Sequence, residues 1–357
     1  MKKKIRVGIW GLGRAGYGMH LKELKKFEDE FEVVAVCDLE QDRLDVVSKE
    51  YPGVHTYLDG DQFIKDPDVD MISVAVRSPD HVAFAIRALE TGKYVFIEKP
   101  IALTMKAVKK LAAAAKKFPG KLYPRQNRRF EPCFNHVFEI MKSGILGDVY
   151  EIKLCRHNYQ WRNDWQTIVE CGGGQLNNWG PHLIDHSLQL MEAPIAGIWS
   201  NLKRIAALGD AEDHLKIVFT GENDRIIDVE ISGGIALASP VYAVYGTRGS
   251  LISKDEKDIQ LRYLKPECKF PKGKAHPENP PMKGSFGGTE TPEWVEETIP
   301  VAPSNKYDTD DIYHYVYQAI RENKKFPVAL EESFKVVEMT EKVKLQNPMF
   351  PLHSDNL

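Results

Sequence analysis

The sequence predicts an α/β protein in two parts: a doubly wound parallel sheet at the N-terminus, then an α+β portion on an open, mostly antiparallel sheet. Three observations predict it. Short β-branched runs alternate with amphipathic, Lys/Glu-rich segments through the first third. A glycine-rich turn joins the first run to the first amphipathic segment. After about residue 123 the alternation gives way to longer strand-like stretches divided by turn signals.

In chain order, residues 5–10, 31–37, 71–76 and 94–97 read as buried strands. Residues 15–27, 41–51, 80–91 and 104–118 carry apolar side chains at helical spacing between them, and Pro119-Gly120 closes the last helix before a final strand at 121–123. Right-handed crossovers make this alternation a parallel sheet with helices on both faces. A helix at 132–143 ends at Gly144, and strands follow at 148–156, 195–205, 213–220, 225–232, 241–247 and 294–301. Residues 265–292, rich in Pro, Gly and Lys, read as a long loop or projecting arm, and 308–323 and 331–345 as closing helices. The expected division is residues 1–122 and 123–357.

The 357 residues hold 48 Lys and Arg against 51 Asp and Glu, a formal charge of −3. Two domains of about 150 residues fit that length. The near-neutral balance argues against a nucleic-acid partner, which calls for a basic excess. Five cysteines without a Cys-x-x-Cys pair carry no zinc or disulfide signature, so no metal is expected and a reducing compartment is. Met1-Lys2-Lys3-Lys4 could open a secretory leader, but Arg6, Gly8, Gly11 and Arg14 interrupt the apolar stretch behind it. No run approaches the roughly 18 apolar residues of a membrane helix. The expectation is a cytoplasmic protein with no membrane partner.

Gly11-Leu12-Gly13-Arg14-Ala15-Gly16 sits where strand 5–10 hands over to a helix. The first glycine permits the tight turn, the second lets the backbone approach a pyrophosphate, and the third allows close strand–helix packing. Free N–H groups at the helix start suit the phosphates. Asp38 ends the next strand, where a carboxylate accepts hydrogen bonds from an adenosine ribose. Its charge would repel a 2′-phosphate, which favours NAD over NADP, although Arg43 lies close by in sequence. A bare structural turn and a solvated acid are the alternatives for these residues.

Two further motifs carry chemistry. Glu98-Lys99-Pro100 follows strand 94–97, at the carboxyl edge where such sheets bind ligands. Burial or a neighbouring nicotinamide cation would make Lys99 a usable acid or base; otherwise it is a surface charge. The second motif runs Gly172-Gly173-Gly174 to Asn178, His182, Asp185 and His186. Asn178 and His182 share a face if the segment is helical, with Pro181 expected to kink it. His182 suits proton transfer beside a hydride, or is a core histidine; Asp185 could orient it, or be a capping or surface acid. Ahead of the glycines, His157, Tyr159, Trp161, Arg162, Asn163, Asp164, Trp165 and Gln166 combine flat apolar rings with hydroxyl-binding groups. Arg162, Asp164 and Trp165 are the candidate substrate contacts there, and a polar loop with packed tryptophans is the alternative.

Together these motifs resemble the Gfo/Idh/MocA oxidoreductases. The likeness extends to Ser78-Pro79-Asp80-His81, Gln126-Asn127-Arg128-Arg129-Phe130, Gly144-Ile-Leu-Gly147-Asp148 and Gly246-Thr-Arg-Gly249, hence over most of the chain. It implies a Rossmann domain, a C-terminal domain on an open sheet, and assembly through that sheet into a homodimer or homotetramer. It implies hydride transfer between a nicotinamide cofactor and a secondary alcohol or ketone of a sugar, inositol or related polyol. By position, Lys99 matches the family's catalytic lysine, His182 its histidine, and Pro100 a proline often preceded by a cis peptide. Ser78, Pro79, His81, Glu98 and Lys99 join the glycine turn and Asp38 as cofactor contacts. One departure stands out: Asn178 occupies the place of a common aspartate, which shifts the expected proton transfer to His182, with Lys99 polarising the oxygen. Glycoside cleavage through transient oxidation, and a non-catalytic NAD-binding relative, are the competing classes.

Overall fold

A computed structural model describes residues 3–272, 291–301 and 308–353. Six parallel strands form the first sheet: β1 (Ile5–Trp10), β2 (Phe31–Cys37), β3 (His55–Tyr57), β4 (Met71–Val74), β5 (Tyr94–Ile97) and β6 (Leu122–Pro124), in the order β3-β2-β1-β4-β5-β6. The order reverses between β1 and β4, so a crevice opens at their carboxyl ends. β1, β4 and β5 are nearly continuous apolar runs because helices cover both faces of the sheet. β3 escaped the sequence reading because it is a short edge strand with little buried surface.

The second sheet has eight strands: β7 (Val149–His157), β8 (Ile195–Lys203), β9 (His214–Gly221), β10 (Ile226–Ser232), β11 (Tyr242–Gly246), β12 (Gly249–Ser253), β13 (Asp258–Leu264) and β14 (Trp294–Pro300). Their order is β14-β13-β12-β11-β7-β10-β9-β8, antiparallel except for the β7–β10 pair. One face alternates Ile152 and Leu154 with Leu215, Ile217, Phe219, Ile227, Val229 and Ile231, and packs on helices Pro132–Lys142, Gly180–Met191 and Leu330–Gln346. The other face carries charge pairs such as Lys216 with Asp228 and Glu230 (2.9 and 3.0 Å). β12 and β13 were not anticipated as separate strands; Gly246-Thr-Arg-Gly249 turns β11 straight into β12. Of the expected arm, residues 273–290 lie outside the described residues. Among the described residues no helix is long and apolar enough to cross a membrane.

Two differences from the sequence reading have physical causes. Segment 15–27 is not one regular helix. It runs as a π-helical turn (Gly16–His20), one α-turn (Leu21–Leu24) and a 3₁₀ turn (Lys25–Phe27). The wide turn lets His20 N–H reach Ala15 O (2.9 Å) and swings the His20 ring into the interior. Helix Ile312–Arg321, placed beyond the 122/123 division, returns to the first sheet. Ile312, Tyr313, Val316 and Tyr317 join the core formed by Ile5, Val7, Ile9 and Phe96, with the Tyr313 ring edge-on to Phe31 and Phe96.

Beneath the carboxyl ends of β5 and β6 lies a buried charge network. Arg125, 1% exposed, donates from Nη1 to Glu98 Oε1 (2.8 Å) and from Nη2 to both oxygens of Glu23 (2.6 Å). His20 Nε2 donates to the same Glu98 oxygen (3.1 Å), and its Nδ1 accepts the Tyr313 hydroxyl. Glu98 Oε2 accepts the backbone N–H of Lys99 (3.0 Å). Burial alone would raise the Glu98 carboxyl, but Arg125 and His20 hold it well below the usual carboxylate range. The network ties β5, β6, the first helical segment and the returning helix to one point. Arg125→Met, which strands two buried carboxylates, is expected to cost about 3–5 kcal/mol in urea unfolding. Adding Glu98→Gln should recover part of that loss, and a cost for Arg125→Met below about 1 kcal/mol would show that the network is not structural.

Candidate active site

The glycine turn leads from β1 into the crevice. Gly11 (φ +96°) is confined, since a Cβ there would lie 2.7 Å from Ala75 O, and one on Gly16 would lie 1.8 Å from Gly11 O. A Cβ on Gly13 would meet nothing within 4 Å, so the turn faces open space there. The first helical bond runs from Tyr17 N to Gly13 O (3.0 Å), which leaves the amides of Gly13, Arg14 and Ala15 ahead of it as donors for a pyrophosphate. The residues thus fit a dinucleotide. Asp38 is buried and braces the same turn, accepting Leu12 N–H (2.6 Å) and Glu40 N–H (3.0 Å), while Arg43 lies 3.2 Å away.

The other expected cofactor contacts divide. The His81 side chain is buried, with Nδ1 on Pro100 O (2.7 Å) and Nε2 on Val76 O (3.1 Å), and it braces the loops after β4 and β5. The Glu98 carboxylate is likewise committed to Arg125, His20 and Lys99 N–H. Ser78 and Pro79 open a 3₁₀ turn at the rim, and the space beside Pro79 is taken by Gly172 of the triple glycine.

Lys99, half-buried just ahead of the cis peptide to Pro100, points its ammonium across the crevice to the backbone carbonyl of Asn178 (2.9 Å). That carbonyl is free because the helix breaks there. Gln175–Asn178 forms one turn, and a second helix, Gly180–Met191, starts with Pro181 in its first turn, where no amide donor is needed. His182 N–H bonds Trp179 O (3.0 Å), one residue short of the Asn178 carbonyl that a continuous helix would have used. Pro181, expected only to kink a helix, instead opens the second one. The start of this segment is clamped by Glu212, which accepts Leu176 N–H (3.2 Å) and pairs with buried Lys344 (2.8 Å). Gly174 (φ +108°) is required here, since a Cβ would lie 2.1 Å from Glu212 Oε1.

His182 is buried, its Nδ1 has no partner among the described residues, and its ring stands edge-on to Trp179 at 5.8 Å. Burial and the nearby cations Lys99 and Arg128 push its imidazolium well below the ordinary histidine range. Burial also lowers the Lys99 ammonium, to about 8: Glu98 pulls it up, while Arg125, Arg128 and Arg14 push it down. Asp185 does not orient His182. It turns to Arg129, accepting Nε at 2.9 Å, and Arg129 also holds Glu332 (2.7 Å). The paired guanidinium answers the burial of that carboxylate, which a bond to an imidazole alone would not. His186 is a brace too, stacked on Phe134 (3.9 Å) with Nε2 on Arg128 O (2.9 Å).

The loop before the triple glycine is not joined to Lys99, Asn178 or His182 by any hydrogen bond among the described residues. Arg162 pairs with Asp164 (2.9 Å) and bonds Gln166 (2.7 Å), and Asp164 caps the short turn Trp165–Thr167. Trp165 is half-buried, and Trp161 is 76% exposed.

Comparison with known proteins agrees with this architecture. Residues 5–124 match the model of the oxidoreductase family with an NAD-binding Rossmann fold, and residues 134–252 that of the GFO/IDH/MocA C-terminal domain. The uncharacterized oxidoreductase YdgJ of Escherichia coli is 26% identical over 96% of both chains. The NADP(+)-dependent scyllo-inositol 2-dehydrogenase IolW of Bacillus subtilis is 25% identical over 94% of this chain and 92% of its own. An inositol 2-dehydrogenase of Acidothermus cellulolyticus is 28% identical over 73% and 76%. Among solved structures, an NAD-binding protein from Listeria innocua superposes with a TM-score of 0.79 at 22% identity, over 99% of this chain and 98% of that one. An oxidoreductase from Thermotoga maritima gives 0.79 at 22% over 96% of each. The chain belongs to the Gfo/Idh/MocA oxidoreductase family, whose NAD-binding Rossmann domain it carries ahead of that family's C-terminal domain.

Proposed function

We propose that the protein is an NAD-dependent dehydrogenase that oxidises a secondary alcohol of a sugar, inositol or related polyol, or reduces the matching ketone. The observation that carries this reading is Lys99 Nζ held 2.9 Å from the Asn178 carbonyl, beside buried His182, at the carboxyl edge of the nucleotide-binding sheet. Relatives named as inositol dehydrogenases support the substrate class.

A bound nicotinamide would supply the hydride acceptor for an alcohol or the hydride donor for a ketone. The amides of Gly13, Arg14 and Ala15 would hold the cofactor's phosphates, and Asp38 would favour NAD over NADP. Lys99 contacts the reacting oxygen. With an ammonium lowered to about 8 and only a neutral carbonyl to hold it, it is the group whose proton affinity suits the work. This moves the proton-transfer role from His182, where the sequence placed it, to Lys99. His182 stays uncharged and positions the oxygen through its buried ring. The outer face of the second sheet, with Tyr150 and Trp199 about half exposed, would join copies of the chain into a homodimer or homotetramer. The five unpaired cysteines fit residence in the cytoplasm.

Below about pH 8 Lys99 is an ammonium and cannot take the alcohol proton; above it the amine can. The kcat/KM for alcohol oxidation should therefore rise with pH and level off near 8, while ketone reduction falls over the same range. A flat profile from pH 6 to 10 would contradict the assignment. Lys99→Met should lower kcat by about 10²–10⁴-fold with NAD affinity retained. Glycoside cleavage without net NADH formation would replace dehydrogenation by transient oxidation. Asp38→Ser, which removes the repelling carboxylate and frees Arg43, should raise the NADP-to-NAD ratio of kcat/KM by on the order of tenfold; no change would remove Asp38 as the discriminator.

A further inference from the structure

We propose that the preferred substrate is itself an anion, a polyhydroxy carboxylate such as a sugar acid, whose carboxylate is met by Arg128 while Lys99 holds the reacting oxygen. The inference rests on the dehydrogenase reading above and names the substrate class within it.

The charge around the crevice is one-sided. Lys99 Nζ is held by a neutral carbonyl, and among the described residues no carboxylate oxygen lies within ion-pair distance of it. Asn178 contributes no charge at the position where the resemblance leads one to expect an aspartate. Glu98 faces away, into Arg125 and His20. The strongest charged neighbours acting on His182 include the cations Lys99, Arg128 and Arg125, each of which disfavours its protonation. Buried His182 Nδ1, without a partner among the described residues, is a further polar atom suited to a ligand group.

Arg128 supplies the second observation. Its guanidinium lies over the Trp179 ring at 4.3 Å, and the same ring stands 5.8 Å from His182, so the three side chains line one wall. Its counter-ion is Glu131, but the guanidinium is the more accessible end of that pair, 30% exposed against 10%. Glu131 is also shared with Arg156, which bonds Glu256 at 2.6 Å behind Trp179. A ligand thus meets the cation first. Cofactor phosphates do not account for it, since Arg14 stands at the glycine turn whereas Arg128 sits on the 3₁₀ turn Asn127–Phe130, after the last strand of the sheet. A guanidinium forks onto a carboxylate as onto a phosphate, so glucose 6-phosphate is the control that separates the two. On the loop before the triple glycine, Asp164 is already paired with Arg162.

The test is NADH formation from matched pairs at equal concentration: glucose against glucuronate and gluconate, galactose against galacturonate, with inositol and glucose 6-phosphate alongside. The expected result is a kcat/KM for an acid on the order of tenfold or more above its neutral partner, lost as salt is raised from 50 to 500 mM. Arg128→Gln should bring the acid-to-neutral ratio close to one through the acid's KM, and Asn178→Asp should lower it by returning a negative charge. Neutral sugars or inositol turned over as well as the acids, or a ratio unchanged in Arg128→Gln that binds NAD normally, would overturn the inference and leave the dehydrogenase reading standing. A preference for glucose 6-phosphate over every carboxylate would overturn the carboxylate assignment. No NADH from any compound, with NAD bound, would remove the dehydrogenase reading and this inference with it.

Discussion

A single buried carboxylate organises the catalytic edge. Glu98 lies between the Arg125 guanidinium and the His20 ring on one side and the Lys99 amide on the other. Each partner comes from a different place: the segment just after β6, the π-helical turn after the glycine loop, and the segment just after β5. An isolated buried carboxylate would be strongly unfavourable, so the three donors must arrive together. That requirement explains the wide turn at Gly16–His20, which carries His20 inward, and the return of helix Ile312–Arg321, whose Tyr313 hydroxyl completes the His20 ring. The backbone of Lys99 is thereby held in place before its side chain does anything.

The opposite wall is made by a break rather than a bond. Pro181 begins a new helix, His182 N–H turns to Trp179 O, and the Asn178 carbonyl is left to receive Lys99. The Glu212–Lys344 pair and Gly174 hold the start of that segment against the second sheet, so the carbonyl reaches the crevice from a rigid base. Lys99 then sits between a neutral acceptor and several cations, and burial together with those cations outweighs the pull of Glu98 on its proton. Asn178 matters through its main chain, which any residue could supply, while its side chain determines what charge the crevice lacks.

Much of this was legible in the residues. The period-two and helical patterns located the first sheet and most of the second, because those strands bury whole apolar runs. The glycine turn, Asp38, Lys99 and His182 were legible because each needs a particular residue type at a particular turn. What stayed hidden depends on contacts distant in sequence. Nothing local marks Arg125 as the partner of Glu98 and Glu23, or directs Asp185 to Arg129 rather than to the histidine one turn away. His81 looked like a cofactor ligand from its place in the motif, yet its ring is committed to two backbone carbonyls. β3 is a three-residue edge strand with little buried surface, β12 and β13 follow tight turns that hid them, and the returning helix is amphipathic toward a core that sequence alone cannot assign.

The central claim, that burial and neighbouring cations bring Lys99 into the range where it exchanges protons near neutral pH, is open to direct titration. Selective ¹³C or ¹⁵N labelling of lysine, with Lys99→Met to assign its resonance, would follow the ammonium from pH 6 to 11 in the intact protein. The account predicts a Lys99 midpoint near 8. A midpoint at the ordinary lysine value of about 10.4 would contradict it.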